Sequence, residues 1–225
     1  MRTVILDGRS LTTEAVLAVA ESRALVECAP DAMERVRLAR AVVEGIIDRG
    51  EVVYGINTGF GALVNTRIGP EDLGQLQVNL VRSHATAIGE PMPDIHVRAM
   101  MVVRLNSLLG GHSGVHEDPI KQLVSFLNLG ITPVVPRLGS LGASGDLAPL
   151  SHVALGLIGE GMVKFDERVQ PAQEALTLNG LIPCTLRAKD GLSLINGTSQ
   201  MTSLLALASE RLHTLLPMAD AVLCM

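Results

Sequence analysis

Between Gly139 and Leu150 the chain reads Gly-Ser-Leu-Gly-Ala-Ser-Gly-Asp-Leu-Ala-Pro-Leu, a run of small residues set between glycines and an acid. Glycine has no Cβ, so at Gly145 the backbone can enter turns closed to other residues and bring its amide nitrogen against a nearby carbonyl. If that carbonyl belongs to Ala143, attack of the nitrogen on the carbonyl carbon closes a five-membered ring. Loss of the carbonyl oxygen as water, then of the Ser144 hydroxyl as a second water, leaves an exocyclic methylidene. The product is an electrophile made from the chain. Ordinary side chains supply nucleophiles, acids and bases, so a protein that needs an electron sink must borrow a cofactor, bind a metal or build one. By residue type alone Ala-Ser-Gly is a turn, and the ring is one chemistry that it permits.

Other residues have both an ordinary and a chemical reading. Tyr54 is the only tyrosine and reads as a half-buried ring at a strand end. His84 follows Ser83 near a predicted helix end, where an imidazole interacts favourably with the dipole. Asn196 precedes Gly197-Thr198 in front of a helix, where an asparagine caps. Asp146 reads as a turn acid. His112 and His116 have the i,i+4 spacing of a metal pair beside Glu117, but Gly110, Gly111 and Gly114 weaken a helix there and the His-Glu-x-x-His order is absent, so no metal is expected. A hydrolase nucleophile elbow needs a glycine two residues after Ser144, where Asp146 stands. A phosphate cradle needs Lys or Thr after its glycines and meets Asp146-Leu147.

The run Gly-Ala-Ser-Gly-Asp-Leu-Ala-Pro-Leu-Ser-His at 142–152 resembles the signature of the aromatic amino acid ammonia-lyases. Tyr54-Gly55-Ile56-Asn57-Thr58-Gly59-Phe60-Gly61 and Asn196-Gly197-Thr198 resemble two further motifs of that family, in the same order, and the resemblance covers essentially the whole chain. It implies that Ala143-Ser144-Gly145 becomes 4-methylidene-imidazol-5-one (MIO), with Asp146 supporting ring formation by handling protons and no metal involved. It also implies that Tyr54 is a catalytic base or proton relay, and that Asn196 lies by the substrate carboxylate or the MIO. Ser83-His84 resembles the pair in members that act on histidine, whereas those acting on phenylalanine or tyrosine carry pairs ending in leucine. One imidazole can donate where another accepts, so His84 is expected to bind the substrate ring.

The implied reaction is loss of ammonia from L-histidine to give trans-urocanate, the first step of histidine degradation. Attack on the MIO by the substrate amine or by its ring stays open, as does an aminomutase, or a lyase for another aromatic amino acid. Family members continue well beyond Met225 into a long-helix bundle that forms homotetramers, and each active site draws on more than one subunit. Residues 1–225 are therefore expected to be an N-terminal MIO-bearing domain whose central helix, from about 198, is cut at 225. A reading from another class is a non-catalytic folding or assembly unit with an exposed apolar patch near 204–225.

The elements that must position these residues are mainly helical: an α+β opening with a few short strands leads into a truncated long-helix bundle. Thr3-Val4-Ile5-Leu6 reads as a strand, and Thr12 as the cap of a helix to about Ser22. Asp31 reads as the N-cap of a helix to Gly50, apolar at Met33, Val36, Ala39, Val43 and Ile46 or Ile47, with Glu34, Arg37, Arg40 and Glu44 solvated. Val52-Val53-Tyr54 is a brief extended entry to the glycine-rich loop at 55–61. Pro70 is expected at the first position of a helix ending near Ser83-His84, and Pro93, Pro119 and Pro149 open later helices in the same way. Met162-Val163-Lys164-Phe165 and Arg168-Val169-Gln170 suggest a hairpin.

Composition bounds the rest. Of 225 residues 48% are hydrophobic but only 2% aromatic, with no Trp, so the core must be aliphatic, which favours packed helices. A formal charge of −5 without a basic run argues against a nucleic-acid partner. Cys28, Cys184 and Cys224 form neither a CxxC pair nor a disulfide framework, as expected in a reducing compartment. The stretch from Gly191 to Ser209 is too polar to span a bilayer, so a soluble, cytoplasmic protein is expected.

Overall fold

In the computed structural model, which describes residues 2–61, 68–142 and 145–225, the chain opens as a parallel β-α-β unit. Strands β1 (Arg2–Leu6) and β2 (Ala24–Cys28) pair with Val4 opposite Val26. Helix α1 (Thr13–Ala20) crosses between them, and the Thr12 hydroxyl accepts the Ala15 amide at 3.2 Å, as the sequence suggests. β2 is not anticipated, because five residues with a single alternation carry little signal.

Helix α2 (Pro30–Asp48) corrects two expectations. Pro30 takes the first helical position with Ala29 as the cap, so Asp31 lies inside the first turn. A proline there forfeits no hydrogen bond and has its φ preset, which displaces the cap by two residues. Arg40 is buried at 7% exposure and not solvated. Its Nη1 donates to the Ala188 carbonyl at 2.8 Å and stands 3.3 Å from Asp190 Oδ1. Helical periodicity marks a polar side chain as outward-facing, but it cannot see a carboxylate 150 residues away that draws the guanidinium in.

Residues 51–53 form no strand; the Val53 carbonyl begins a turn by accepting the amides of Ile56 and Asn57. A 3₁₀ turn, Pro70–Asp72, then leads into α3 (Leu73–His84). Strand β3 (Ile88–Pro91) is followed by α4 (Asp94–Leu109), α5 (Glu117–Leu129), β4 (Thr132–Pro133) and β5 (Pro136–Leu138). Helix α6 (Leu147–Leu157), the hairpin β6 (Met162–Phe165) and β7 (Arg168–Pro171), α7 (Ala172–Leu178), α8 (Asp190–Ile195) and α9 (Ser199–Leu223) complete the chain. β3 pairs antiparallel with β5, and β6 lies between β4 and β7. Pro93 precedes α4 as its cap, and Pro119 and Pro149 are third residues of α5 and α6, so proline marks these first turns without always holding the first position.

The core gathers around α4, which packs against α9, α1, α5 and α2 and is buried nearly all round, through Met100, Met101, Leu105, Leu108 and Leu109 among others. Such a helix cannot be read by amphipathicity. Its two arginines point at helix ends. The Arg98 guanidinium donates to the Val19 and Ala20 carbonyls closing α1 and to Leu127 near the end of α5. Asn128 donates to and accepts from the backbone of Val26 at 3.0 and 2.8 Å, fastening α5 to β2. Helix α9 runs as expected through Pro217, yet its last buried residue is Leu207. Beyond it Leu215, Leu216, Met218 and Val222 are each more than half exposed. Among the described residues no helix is long and apolar enough to cross a membrane.

Asp190 accepts the amides of His116 and Arg187 at 2.8 Å each, besides facing Arg40. Replacing Asp190 by Ala leaves a buried cation and two amides without their acceptor, and should lower stability by roughly 3–5 kcal/mol in urea unfolding. A loss within 0.5 kcal/mol, the range of a neutral surface change, would contradict this.

Candidate active site

Asp146 is fully buried and is the last residue before α6. Its carboxylate is spent on another helix. Oδ2 accepts the amides of Gln200 at 2.7 Å and Met201 at 3.0 Å, the second and third residues of α9, whose own cap Thr198 makes no side-chain bond. Those amides have no partner within the helix, and a negative charge at the N-terminus is favoured by the aligned peptide dipoles. Oδ1 accepts the Ser140 hydroxyl at 2.6 Å, and the Asp146 amide donates to the Gly197 carbonyl at 2.6 Å. A residue that reads as a simple turn acid thus joins the start of α6, the start of α9 and the loop before them.

Gly145 is held in that junction at φ +102, where a Cβ would lie 2.8 Å from the Gly197 carbonyl oxygen. Only glycine fits this approach. Its amide donates to the Gly142 carbonyl at 2.8 Å. Ala143 and Ser144 lie outside the described residues. Gly197 is confined from both sides, because a Cβ there would also meet the Arg104 guanidinium. Arg104, on α4, donates to the carbonyls of Ser193, Leu194 and Asn196, which close α8. Burial pushes its guanidinium down to about 10, still charged at neutral pH.

A groove of about 510 Å³ runs beside this junction, lined by Ser83, His84, Ile88, Leu138, Gly145 and Leu147 among others. His84 ends α3, and its Nδ1 lies 2.9 Å from the Leu80 carbonyl and 3.0 Å from the Ser83 hydroxyl. A carbonyl only accepts, so the proton of the neutral ring sits on Nδ1 and Nε2 is left as an acceptor. His84 and Gly145 are therefore brought to one cavity.

Asn196 and Tyr54 are not. Asn196 closes α8 and lines a second groove, of about 460 Å³, with Arg104 and Thr198. The expected capping of α9 falls to Asp146. Tyr54 is 58% exposed in the turn after Val53, its ring edge-on to Phe60 at 6.1 Å between centroids, and lines neither groove. Asn57 braces that turn by accepting the Val53 amide at 2.9 Å and donating to the Glu51 carbonyl at 2.6 Å. Among the described residues no group of three His, Cys, Asp or Glu side chains is placed to hold a metal; His116 instead caps α5 by accepting the Asp118 amide.

Sequence reasoning passed over Ser140 and Arg104. Arg104 had a visible signal, a cation inside the apolar run at 99–109, where a charge needs buried partners. Ser140 had none beyond its place near the glycines.

A mainly helical fold with a glycine-lined loop seated on the N-terminus of a long helix defines the class, and the chain belongs to the aromatic amino acid lyase family, whose model matches residues 11–225. It is 51% identical over 201 residues to the histidine ammonia-lyase of Geobacillus thermodenitrificans, covering 89% of this chain and 40% of that protein. The crystal structure of histidine ammonia-lyase from Trypanosoma cruzi superposes with a TM-score of 0.87 at 41% identity, over 94% of this chain and 41% of that one. A tyrosine aminomutase from Streptomyces globisporus superposes equally well, at 0.87 and 43% identity, over 93% of this chain and 39% of its own. The chain spans about 40% of the length of such relatives.

Asp146→Ala removes the acceptor of two helix-end amides and one hydroxyl. It should cost roughly 2–4 kcal/mol and, in native-state hydrogen exchange, deprotect the amides of Gln200 and Met201 ahead of the rest of α9. Unchanged protection at those two amides would refute the cross-capping role.

Proposed function

We propose that this chain is the N-terminal, electrophile-bearing domain of a histidine ammonia-lyase, which converts L-histidine to trans-urocanate and ammonia within a cytoplasmic homotetramer. The observation that carries this reading is the convergence of His84 and Gly145 on one groove, with Gly145 in a backbone state that no other residue would occupy. The free thiols Cys28, Cys184 and Cys224 support a reducing compartment.

The described residues around the loop fit an MIO formed from Ala143-Ser144-Gly145. At Gly145 no Cβ stands in the way of a close backbone approach, and the buried Asp146 carboxylate fixes the following residue. When formed, the MIO supplies an electron sink that makes the substrate's amino group a better leaving group. His84 receives the substrate ring: its Nε2 accepts the imidazole N–H, while Nδ1 stays bonded to Leu80 and keeps the ring oriented. Asn196 lines the second groove but adjoins Gly197, whose carbonyl holds the Asp146 amide; from there it offers a neutral amide to the substrate carboxylate, and Arg104 holds the backbone from which it extends. Tyr54 acts as base or proton relay. Its exposure, and its absence from the groove of its own chain, suit service in a neighbouring copy's site.

The exposed second half of α9 favours one further reading, a non-catalytic folding or assembly unit. Intact mass with peptide mapping over 137–150 separates the two: the lyase domain should lose two waters at Ala143-Ser144-Gly145, and Ser144→Ala should lose none. An unmodified wild-type chain, well folded by circular dichroism, would overturn the electrophile reading.

Substrate choice is tested separately, in active assemblies containing the remaining length of the enzyme. His84→Leu should lower kcat/KM for histidine relative to phenylalanine by roughly tenfold or more, since a recognition hydrogen bond is lost. An unchanged ratio would refute the assignment of histidine, and a β-amino acid product in place of urocanate would assign an aminomutase.

A further inference from the structure

We propose that Asn57 is a positioning residue for the proton transfer assigned to Tyr54, holding the backbone on either side of that tyrosine so that its phenol is presented in one place; this rests on the reading of Tyr54 above. Tyr54 is more than half exposed, and its edge-on contact with Phe60 is a weak hold on a ring in water. The order has to come from the backbone. Asn57 and Val53 exchange hydrogen bonds in both directions: the Val53 amide donates to Asn57 Oδ1 at 2.9 Å, and the Asn57 amide donates to the Val53 carbonyl at 3.3 Å. The bracket so closed encloses Tyr54, Gly55 and Ile56.

The bracket is itself anchored. Asn57 Nδ2 donates to the Glu51 carbonyl at 2.6 Å, and the Asn57 carbonyl accepts the Ile68 amide at 3.0 Å. Inside it, Gly55 stands at φ +79, where a Cβ would lie 2.7 Å from Leu192 Cδ2, and Ile56 is buried. The chain therefore rests on α8 immediately after Tyr54. The two backbone partners decide the residue type. A peptide N–H only donates and a carbonyl only accepts, so the side chain between them needs one acceptor and one donor on a single short arm. Asparagine has both; aspartate lacks the donor, and glutamine carries them one methylene further out. Backbone and side chain of Asn57 are thus both committed to the loop, which leaves rotation about the Tyr54 side-chain bonds as the main freedom of the phenol.

A base or relay must meet its proton within hydrogen-bond reach, and misplacement by about 1 Å can cost about a hundredfold in rate. Asn57 exchanges no proton with the substrate and acts through Tyr54. Loosening the bracket is therefore felt in kcat.

Tyr54 is the only tyrosine and the chain has no Trp, so intrinsic tyrosine emission reports on this one ring. In this chain its time-resolved anisotropy should decay mainly with the tumbling of the whole molecule; a wild-type decay dominated by fast local motion would overturn the inference whatever the variants do. Asn57→Ala should raise the amplitude of the fast component by roughly twofold or more. Thr58→Val removes the bond from the Thr58 hydroxyl to the Gly59 carbonyl, just outside the bracket, and should leave that amplitude unchanged. Equal rises in both variants would reduce Asn57 to general loop stability and overturn the role. If Asn57→Ala does not fold, low urea replaces it: the fast component should rise in step with exchange of the Val53 amide, and a rise while that amide stays protected overturns the inference. In active assemblies containing the remaining length of the enzyme, Asn57→Ala should lower kcat for histidine roughly tenfold or more, with KM within about twofold. In a Tyr54→Phe background it should add little further loss, since residues that act as a unit are not additive. Full additivity, or an unchanged kcat, overturns the inference and leaves the Tyr54 reading standing. A Tyr54→Phe enzyme with wild-type kcat overturns both.

Discussion

The interaction on which the rest depends is a buried carboxylate shared between elements far apart in the chain. Asp146 occupies the residue before α6 but serves the first turn of α9, 54 residues on. A helix can be capped by the residue that begins it, and then the cap says nothing about tertiary structure. Here the cap comes from elsewhere, so forming the start of α9 and seating the loop are one event. The loop cannot relax without exposing two helical amides in the interior, where unsatisfied donors are costly. Backbone conformation at Gly145 is thereby secured by a helix end and not by local preference.

The same economy recurs at the opposite ends of helices. Arg98 gathers carbonyls at the ends of α1 and α5, and Arg104 does so at the end of α8. Both are buried and neither forms an ion pair with a described carboxylate. Backbone carbonyls at helix ends carry the partial negative charge that such a cation needs. An aliphatic core with scarcely any aromatic rings has few directional contacts of its own. These guanidiniums supply the direction, and α4, which carries both, becomes the axis against which loops and short helices are registered.

How much of this is legible beforehand depends on whether the signal is local. The Thr12 cap of α1, the hairpin at 162–171 and the long run of α9 all follow from neighbouring residues, and they stand as expected. Arg40 does not, because its inward turn is decided by Asp190 across the fold. Helix α8 is short and buried, with no polar face to give a period. In the candidate site, Gly145 and His84, each marked by its motif, line one groove, whereas the reach of Asp146 to α9 and of Ser140 to Asp146 has no counterpart in spacing. Hydrogen bonds between distant segments are written in three dimensions only. Tyr54 and Asn196 sharpen the point: motif identity marks them as chemical, but their side chains do not line the groove that holds His84 and Gly145.

Helix α9 has a mechanical side. It is embedded through Leu207, and its last side-chain tie to another element among the described residues is Thr13 to Glu210. Beyond that, the exposed turns from Arg211 to Leu223 project for about 20 Å at 1.5 Å per residue. A rod clamped along one part of its length and free along the other is a lever. Sideways load on the free arm becomes torque at the clamp, and the shorter arm ends at the amides of Gln200 and Met201. Measured from Glu210, the free arm is about 20 Å and the embedded arm about 15 Å, so movement at the tip reaches the Asp146 end reduced by only about a quarter. Whatever steadies the free arm therefore also steadies, with that mechanical advantage, the bonds that keep Gly145 in place.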